Sequence, residues 1–455
     1  MKGCRSWSYS PYRPPLCDVG DIYICRVAPS VDAIHIEWLC AGCEEYEVYC
    51  RVRSEGEFAL CGVTSGNGFD IVGLADKTDY EFYVESNNKK SRVRLARTGK
   101  IDGVVVNYLH PDDNAYSFSG KYLCSPSLVR HPEGYLLASM DLFAGGAPQN
   151  LTLIFRSDDN GESWNYVSEL MPCFWGKMFI HKGELYMLSV STEYGDLLIG
   201  RSSDGGKSFT PPVALLRGSG SKTGRHSGVH KNPQPIVEYK GRLYGTLEWA
   251  PWGGCGAMVM SCDVEADLLD PNSWSFSEPV ILDEFSPELE GVKRGGLTIE
   301  GTIVQAPCGK LLNIMRTAMR GRALMYEIDT ENPEKPLSYY GIMPFEANLS
   351  KFMIKYDGET GRYYSVATRL YDGCPDSARN LMSLMSSANL REWKVVCDLH
   401  DHRNEDVARV GFQYADFEFD GEDIIYLCRT AVNGAHSYHD SNYSTFHRIK
   451  NFRKI

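Results

Sequence analysis

A short turn sequence occurs twice in the middle of the chain and constrains the fold more than any other feature. The stretches "SDDNGESW" (Ser157–Trp164) and "SSDGGKSF" (Ser202–Phe209) share the pattern S-x-D-x-G-x-x-(W/F), and each follows an apolar strand pattern. Asp and Gly favour a tight turn between adjacent strands, and the aromatic residue can pack beneath it. A third, degenerate copy, "SSANLREW", ends at Trp393. Repetition of one turn indicates a repeated hairpin architecture.

Strand-like hairpins recur after residue 100 at roughly even spacing, and helical periodicity is almost absent there. The six groups begin near Tyr122, Phe174, Pro233, Thr298, Phe352 and Gly411. Such groups predict an all-β, six-bladed β-propeller over residues 100–455. The last group contains three clear strands, so we expect the isolated pattern "GVVVNYL" at 103–109 to supply the fourth strand and to remove an open sheet edge.

A separate strand-rich segment precedes the propeller. Seven short strand patterns lie within residues 21–99, which favours a small β-sandwich. Trp38 ends one strand, and Leu74 precedes Tyr80 as in a tyrosine corner. The segment resembles a fibronectin type III domain, which implies that it positions its neighbour or forms a homo-oligomer rather than catalysing a reaction. Residues 1–20 are rich in proline and are expected to form an arm.

The composition argues against several classes of partner. The 455 residues carry a formal net charge of −12, so neither nucleic acid nor an anionic membrane is expected as the main partner. The N-terminal stretch has no apolar core and no run of eighteen apolar residues occurs, so neither a signal peptide nor a membrane span is expected. The 15 cysteines are scattered, which indicates reduced thiols in a cytoplasmic protein. The isolated Cys40 and Cys43 pair is interpreted as structural, and no cofactor is expected.

Two hairpins carry polar residues where burial is expected. In "EGTIVQAPCGKLLNIMR", Glu300 opens the first strand and Arg316 closes the second. Charged groups on the inner strands of a propeller face the central channel, where desolvation is unfavourable unless they pair or serve a function. This hairpin resembles the sialidase hairpin that carries a catalytic glutamate and a carboxylate-binding arginine. Likewise, "GFQYADFEFDGEDIIYL" resembles the late sialidase strand that carries the tyrosine nucleophile, and Tyr414 falls on that position.

The resemblance to the sialidase-like propellers covers about residues 120–450, and the repeated turns resemble their Asp boxes. It implies that Tyr414 is the nucleophile and that Glu300 is the base that activates it. Arg316 would bind an anionic or hydroxyl-rich group of the sugar. Gln413 and Asp416 lie on the same strand as Tyr414 and are expected to contact the substrate.

Two positions depart from the sialidase pattern. Cys124, in "LCSPSLV", stands where the first arginine of a sialidase is expected. The usual acid before the first repeated turn is missing, and the nearest carboxylate is Asp141 in "ASMDLF", which becomes a candidate proton donor. Arg369, in "VATRL", is the candidate for a further arginine, with Arg225 as another choice. Because a thiol carries no fixed positive charge, sialosides are expected to be poor substrates.

Histidine-rich loops lie just before two inner strands. "TGRHSGVHKNPQP" contains His226 and His230, and "NGAHSYHDSNYSTFHRI" contains His436 and His439. We expect these loops on the rim, where propellers build their sites, with His230 or His439 as an alternative proton donor and the other two in substrate contact. Metal ligation by these loops is a weaker reading, because no set of carboxylates lies nearby. Trp175 is expected either as a sugar-stacking platform or as part of a blade core.

These features predict a carbohydrate-active enzyme, a glycoside hydrolase that cleaves an oligosaccharide or glycoside. A lyase acting on a uronic acid is an alternative: it needs a cation near the C5 carboxylate and a Tyr or His base, which Arg316, His230, His439 and Tyr414 supply. A non-catalytic glycan-binding protein is another, because a fold alone does not define a function.

Overall fold

The computed structural model describes residues 22–40, 42–220, 227–249, 256–281 and 298–455. These residues form an all-β protein in which the regular helical structure consists of the 3₁₀ turns Pro271–Ser273 and Phe452–Lys454. Within the described ranges, no helix has the length and apolar character needed to cross a membrane.

The N-terminal part consists of two small antiparallel sheets. Its strands are β1 (Tyr23–Pro29), β2 (Ala33–Leu39), β3 (Tyr46–Val52), β4 (Ala59–Thr64), β5 (Gly68–Val72), β6 (Asp79–Ser86), β7 (Lys89–Lys90) and β8 (Arg94–Arg97). One sheet has the order β1-β2-β5, and the other has the order β4-β3-β6 with β7 and β8 both paired to β6. Alternate residues of β2 are buried, among them Ile34 and Ile36, as expected for a strand with one face on a shared core.

Two features of the N-terminal sequence have clear structural roles. Trp38 is buried and packs edge-on against Tyr46, with ring centroids 5.2 Å apart. The Tyr80 hydroxyl accepts a 2.8 Å hydrogen bond from the backbone N–H of Ala75, the kind of contact that ties a corner between strands.

Buried polar contacts join this sandwich to the rest of the chain. Arg94 donates from Nε to Asp113 Oδ2 at 2.7 Å and from Nη1 to the Ile24 carbonyl at 2.7 Å. The Tyr23 hydroxyl donates to Glu169 Oε2 at 2.7 Å. A buried ion pair is strongly disrupted by removal of one partner, so these contacts fix the sandwich against the neighbouring sheets.

Six further sheets follow, and we number them as blades 1 to 6. Blade 1 contains β10 (Tyr122–Arg130), β11 (Leu136–Phe143), β12 (Thr152–Ser157) and β13 (Asn165–Leu170); blade 2 contains β14 (Phe174–His181), β15 (Glu184–Val190), β16 (Leu197–Ser202) and β17 (Val213–Leu216); blade 3 contains β18 (Val229–His230), β19 (Val237–Tyr239), β20 (Arg242–Trp249), β21 (Gly256–Asp263) and β22 (Trp274–Phe276). Blade 4 contains β23 (Thr298–Gln305), β24 (Leu311–Thr317), β25 (Arg322–Glu327) and β26 (Ser338–Pro344); blade 5 contains β27 (Lys355–Asp357), β28 (Arg362–Thr368), β29 (Leu381–Ser387) and β30 (Trp393–Asp401); blade 6 contains β31 (Gly411–Asp420), β32 (Asp423–Ala431) and β33 (Tyr443–Ile449). Neighbouring strands within each blade pair antiparallel in this order, except that blade 3 has the order β18-β20-β21-β22 and β19 also pairs with β20. The first strand of blade 1 contacts the first strands of blades 2 and 6, as the inner strands of a propeller do.

A strand from the start of the propeller sequence completes blade 6. β9 (Val104–Tyr108) lies within the segment 103–109 and pairs antiparallel with β33. The sheet order is β31-β32-β33-β9, so the first and last parts of the propeller sequence share one blade. Pairing of this kind covers the edge of β33, which would otherwise expose unpaired backbone groups.

The starts of four inner strands coincide with the sequence prediction, and two do not. β10, β14, β23 and β31 begin at the predicted residues. In blade 3 the prediction near Pro233 is wrong, because the inner strand is divided into β18 and β19. Pro233 and Pro235 lie between these two pieces, and proline cannot donate a ladder hydrogen bond. In blade 5 the inner strand begins at Lys355 rather than at Phe352.

The repeated turns have the same hydrogen-bond network. Ser157 Oγ donates to Asp159 Oδ1 at 2.7 Å and accepts from the Gly161 N–H at 2.7 Å. A Cβ at Gly161 would lie 2.0 Å from a ring carbon of Phe446, and its φ of +95° also requires glycine. Trp164 is buried against Phe446, with ring centroids 5.4 Å apart, so the turn secures blade 1 against blade 6. The corresponding bonds in the second turn join Ser202, Asp204, Gly206 and Ser208.

Candidate active site

Four inner strands carry the same backbone irregularity at the same place. The ladder register shifts directly after Cys124, Phe174, Ile299 and Gln413. The next residue in each strand has a left-handed φ, which is 49° at Ser125, 50° at Trp175, 58° at Glu300 and 60° at Tyr414. A β-bulge re-aims a side chain, and positive φ at a non-glycine residue is a strain that is typical of functional sites. We call these four positions the bulge residues.

The second strands of four blades present a matching set of ionisable residues. Asp141 pairs with Cys124, Glu248 with His230, Arg316 with Ile299, and Arg429 with Gln413. In blade 2 the position opposite Phe174 is the apolar Val190. Ionisable groups are rarely buried unless they pair or function, so this ring indicates a polar site at one end of the channel.

The bulge residues Glu300 and Tyr414 meet across the channel, together with Arg316. The Tyr414 hydroxyl donates to Glu300 Oε1 at 2.6 Å. Arg316 Nη1 donates to Glu300 Oε2 at 2.5 Å and to the Tyr414 hydroxyl oxygen at 3.1 Å. Each group therefore contacts the other two. The negative charge of the Glu300 carboxylate and the positive charge of the Arg316 guanidinium, both on the same hairpin, neutralise each other. We call this set the Tyr–Glu–Arg triad.

The triad has a defined charge state at neutral pH. Burial raises the pKa of Tyr414 to about 12, and the Glu300 carboxylate adds to this effect. Burial acts to raise the pKa of Glu300, but the charge of Arg316 and the hydrogen bond from Tyr414 outweigh it and lower this pKa. Burial opposes the charge on Arg316, yet Glu300 raises the pKa of the guanidinium. The site thus holds a neutral phenol against a carboxylate, which is the ground state of a base-assisted nucleophile.

Two further arginines surround Tyr414. The Arg429 guanidinium lies 5.3 Å from the centroid of the Tyr414 ring. Burial and the charge of Arg316 together lower the pKa of Arg379 to about 10. The N–H groups of both arginines are partly engaged by the protein: Arg379 donates to the carbonyls of Leu349 and Ala378, and Arg429 donates to the carbonyl of His439 and to Ser441 Oγ.

Asp141 lies in a dry environment in blade 1. Its side chain is fully buried, and Thr152 Oγ1 donates to Oδ1 at 2.5 Å. Burial raises the pKa of Asp141 to about 7. Burial and the charge of Asp141 raise the pKa of Cys124, its ladder partner, to about 12. Cys124 is therefore a neutral thiol and supplies no cation to the site.

His230 belongs to a second buried cluster beside the triad. Its Nδ1 lies 2.6 Å from Glu248 Oε2, and Glu248 Oε1 accepts from the N–H of Gly301 at 3.3 Å. The ring of Trp175 lies 4.4 Å from the His230 ring. Lys231 Nζ donates to the Trp175 carbonyl at 2.5 Å, and burial lowers the pKa of this lysine to about 7. The bulge residue Trp175 is thus held by the same cluster that positions His230.

Two predicted substrate contacts are engaged within the protein instead. Asp416 Oδ2 forms an ion pair with Lys177 at 2.5 Å and accepts from the N–H of Leu128 at 2.6 Å. Its side chain is fully buried, so it joins the inner strands of blades 1, 2 and 6. Gln413 Nε2 donates to the Tyr438 carbonyl at 2.6 Å. The substrate-contact prediction for Asp416 is corrected to a structural role, because its carboxylate is fully buried in an ion pair with Lys177.

Arg369 is placed away from the triad. Its Nε donates to Ser383 Oγ at 3.2 Å, and Nη2 donates to Asp398 Oδ1 at 3.1 Å. These partners lie on β29 and β30, the outer strands of blade 5. Arg369 therefore does not supply the further arginine that was predicted for the site, and Arg379 and Arg429 are the candidates for that position.

The other three predicted histidines are His226, His436 and His439. Two of them lie in the loop before β33, and one lies outside the described residues. His436 Nδ1 lies 2.8 Å from the Tyr122 hydroxyl, and His439 Nδ1 lies 3.1 Å from Asp440 Oδ1. Both rings are about half exposed at the rim. Arg225 and His226 fall outside the described residues.

Arg429, Arg379 and Glu248 were not found from sequence. For Arg429 a signal exists, since "RTA" occurs both at Arg316 and at Arg429 at the end of a second blade strand. Glu248 is the next-to-last residue of "GTLEW" (Gly245–Trp249), at the matching place in blade 3. Arg379 follows no such pattern, because it lies outside the blade strands, at an isolated parallel bridge to Gly411.

Comparison with known proteins supports the architecture. No family model matches the sequence, and no curated protein matches it. Among solved structures, the α-L-arabinanase of Penicillium chrysogenum in complex with arabinobiose is similar, with a TM-score of 0.52 and 15% identity over 78% of this chain and 99% of that chain. A leech intramolecular trans-sialidase gives a TM-score of 0.49 and 9% identity over 99% of this chain and 94% of that chain. The likeness to the arabinanase shows a shared β-propeller fold.

Proposed function

We propose that the protein is a glycoside hydrolase whose reaction centre is the Tyr–Glu–Arg triad. The proposal rests on one observation, the 2.6 Å hydrogen bond from a partly buried tyrosine at positive φ to a buried carboxylate. A tyrosine that only fills space in a strand needs no carboxylate partner, and burying such a carboxylate is unfavourable without a compensating cation. Tyrosine nucleophiles occur among glycosidases as an exception to the scheme with two carboxylates.

The first step forms a bond between the Tyr414 oxygen and the anomeric carbon of the sugar. As the bond forms, the phenol proton passes to Glu300, and the leaving-group oxygen receives a proton from a general acid. The raised pKa of Tyr414 and the lowered pKa of Glu300 disfavour proton transfer as a separate step, so transfer accompanies attack. Arg316, 3.1 Å from the phenol oxygen, stabilises the charge that develops there. Water then attacks the anomeric carbon, loses a proton to the deprotonated general acid and displaces the phenol oxygen, which recovers its proton from Glu300; two displacements give retention of configuration.

Asp141 is the best candidate for the general acid. Its pKa of about 7 keeps a large fraction of the carboxyl protonated near neutrality. It lies in blade 1, next to the blade that carries Tyr414. The charge of Arg429 and partial burial lower the pKa of His439, which makes that imidazole a poorer proton donor.

The substrate is expected to lack a carboxylate on the anomeric carbon. Cys124 is neutral, and Arg379 and Arg429 direct N–H groups to main-chain carbonyls. A carboxylate would therefore find fewer free donors than three convergent guanidinium groups provide. Because an α-L-arabinanase shares the fold, arabinobiose and aryl arabinosides belong in a substrate panel beside hexosides, glucuronides and sialosides.

The test is turnover of that panel by purified protein. Tyr414→Phe and Glu300→Gln should each lower kcat by at least ~100-fold, the size typical for loss of acid–base or nucleophilic assistance. Tyr356→Phe and Glu359→Gln are matched controls, because Tyr356 is exposed and Glu359 lies in the exposed turn after β27. Full activity in both triad variants would contradict the assignment.

The product identity separates this proposal from its alternatives. A saturated sugar that has gained an oxygen from water indicates hydrolysis, whereas a conjugated, ultraviolet-absorbing product from a uronate-containing glycan would indicate a lyase. Saturable glycan binding without turnover over days would indicate a binding protein. A sialoside that exceeds all other substrates in kcat/KM by tenfold, ~1.4 kcal/mol in transition-state binding, would overturn the substrate proposal.

A further inference from the structure

A cluster of two histidines and an aspartate lies at the junction of the sandwich and blades 5 and 6. Asp102 belongs to the segment that connects the last sandwich strand to β9. His400 lies near the end of β30, and His402 follows that strand. The cluster uses none of the triad residues, and the proposed reaction gives it no role.

The geometry of the cluster suits a metal ion. One ring nitrogen of each histidine and one carboxylate oxygen of Asp102 all lie within 4.8 Å of one another. His402 Nε2 and Asp102 Oδ2 are 3.5 Å apart. Two ligands bound to tetrahedral Zn²⁺ at ~2.0–2.1 Å lie roughly 3.3 Å from each other, so this pair is already close to a ligating separation.

Each histidine has one nitrogen fixed by the protein. His402 Nδ1 lies 2.6 Å from Glu405 Oε1, the carboxylate–imidazole arrangement that orients metal-bound histidines. His400 Nε2 lies 2.9 Å from the Tyr426 hydroxyl. His400 is only 4% exposed, and its other ring nitrogen, Nδ1, is buried without a hydrogen-bond partner among the described residues. An unsatisfied buried polar atom requires an explanation, and a metal ion is one.

Packing also holds both rings in place. The Phe412 ring stacks on His400 with centroids 4.2 Å apart and on His402 with centroids 4.8 Å apart. Asp102 and His400 line a cleft of about 1130 Å³ that opens to solvent, which gives an ion a path to the cluster. Rigid ligands lose little conformational freedom on binding, which favours affinity.

We propose that Asp102, His400 and His402 bind a divalent transition metal ion, with Zn²⁺ the best match. Two imidazole nitrogens and one carboxylate oxygen suit Zn²⁺, with water as a fourth ligand. The ion would join the connecting segment to the outer strand of blade 5. Since the same segment continues into β9, the site would stabilise the closure of the propeller.

Zinc titration of the full chain tests the proposal. Protein treated with a chelator and dialysed should bind one equivalent of Zn²⁺ by calorimetry, and Zn²⁺ should raise its Tm. His402→Gln and Asp102→Asn should each weaken binding at least ~10-fold, the lower end of what loss even of an outer-sphere partner does. The double variant should lose both the binding and the gain in Tm. Cobalt titration gives a second readout, because the visible absorption of bound Co²⁺ should be present in the parent protein and absent in the double variant.

Matched controls locate the ion. His35→Gln changes a partly exposed histidine that contacts Asp70, and Cys43→Ser changes one of two cysteines whose sulfur atoms lie 3.1 Å apart. Both should bind Zn²⁺ as the parent protein does. Binding that survives undiminished in the Asp102→Asn/His402→Gln double variant, or an absence of saturable binding in the parent protein, would overturn the proposal. Circular dichroism establishes that each variant is folded.

Discussion

The repeated turns and the bulges are both periodic features of the propeller, but they repeat different things. The turns after β12 and β16 repeat residues, because Ser, Asp and Gly occupy the same places in Ser157–Trp164 and Ser202–Phe209. The bulges repeat only the backbone, and their residues all differ: Ser125, Trp175, Glu300 and Tyr414. A turn held by side-chain hydrogen bonds requires particular side chains, whereas a bulge requires only a conformation and leaves the side chain to be set by chemistry.

This difference separates stability from function within one ring. Changes in the repeated turns should reduce the free energy of unfolding and leave the chemistry of folded molecules intact. Changes among the bulge residues and the ionisable residues opposite them should alter the reaction, and they should alter stability where a buried charge is left unpaired or where the new residue does not tolerate the left-handed φ.

Arg316→Ala should give the largest combined loss. Removal of one partner of a buried ion pair costs about 3–5 kcal/mol, and the loss of charge stabilisation should also lower kcat. Denaturant unfolding at pH 7 and steady-state rates measure the two effects. Arg217→Ala is the control, since the Arg217 side chain is 80% exposed beside Asp196, and the change should stay within about 0.5 kcal/mol. Equal effects of both substitutions would contradict the prediction that the ion pair of the triad contributes more to stability and to kcat than an exposed ion pair.

Trp164→Ala should destabilise the protein without altering its chemistry. The indole is buried beneath the first repeated turn, and truncation of a buried tryptophan costs about 3–5 kcal/mol. Urea unfolding should show this loss, while kcat measured where the variant is fully folded should match the parent protein. A fall in kcat as large as that of Arg316→Ala would break the distinction between the two kinds of repeat.

Asp141 should control the alkaline side of the pH–rate profile. Its pKa is about 7, and only the protonated carboxyl can donate, so the rate should fall as pH rises through that value. Asp141→Asn should remove this limb and lower kcat by ~100-fold for a glycoside with a poor leaving group. The loss should be smaller for an aryl glycoside whose phenol needs no proton. An unchanged alkaline limb in the Asn variant would assign the proton donor to another residue.

Ser125 should show the smallest effect. Its φ of 49° suits glycine and is unfavourable for a β-branched residue. Ser125→Gly should therefore change the free energy of unfolding by less than about 1 kcal/mol, and Ser125→Val should cost about 1–3 kcal/mol through backbone strain. Denaturant unfolding of the pair tests whether the bulge in blade 1 is required by the fold. Equal stability of the two variants would show that blade 1 can lose the bulge without a decrease in the free energy of unfolding.

Much of the fold was predictable because its signals are local. Repeated turns and alternating strands identified the propeller, and four of the inner strands begin where predicted. Blade 3 was placed wrongly because Pro233 and Pro235 divide its inner strand, and an apolar pattern alone does not show where ladder pairing stops.

The site was predictable only where chemistry and strand position coincide. Glu300, Arg316 and Tyr414 occupy fixed places in two hairpins, so their sequence pattern indicated the contact that the structure contains. Arg379 lies outside the blade strands, at an isolated bridge to Gly411, and Asp416 pairs with Lys177 across the channel. Pairings between distant blades depend on closure of the ring, which no local pattern encodes.

Trapping of the glycosyl–enzyme intermediate tests the central claim most directly. A 2-fluoro glycoside with an activated leaving group, chosen from the best substrate class, should accumulate as a covalent adduct, because fluorine slows release of the sugar more than its attachment. Peptide mass spectrometry should place the sugar on Tyr414, and Tyr414→Phe should form no adduct. An adduct on Glu300, Glu248 or Asp141 would contradict the account.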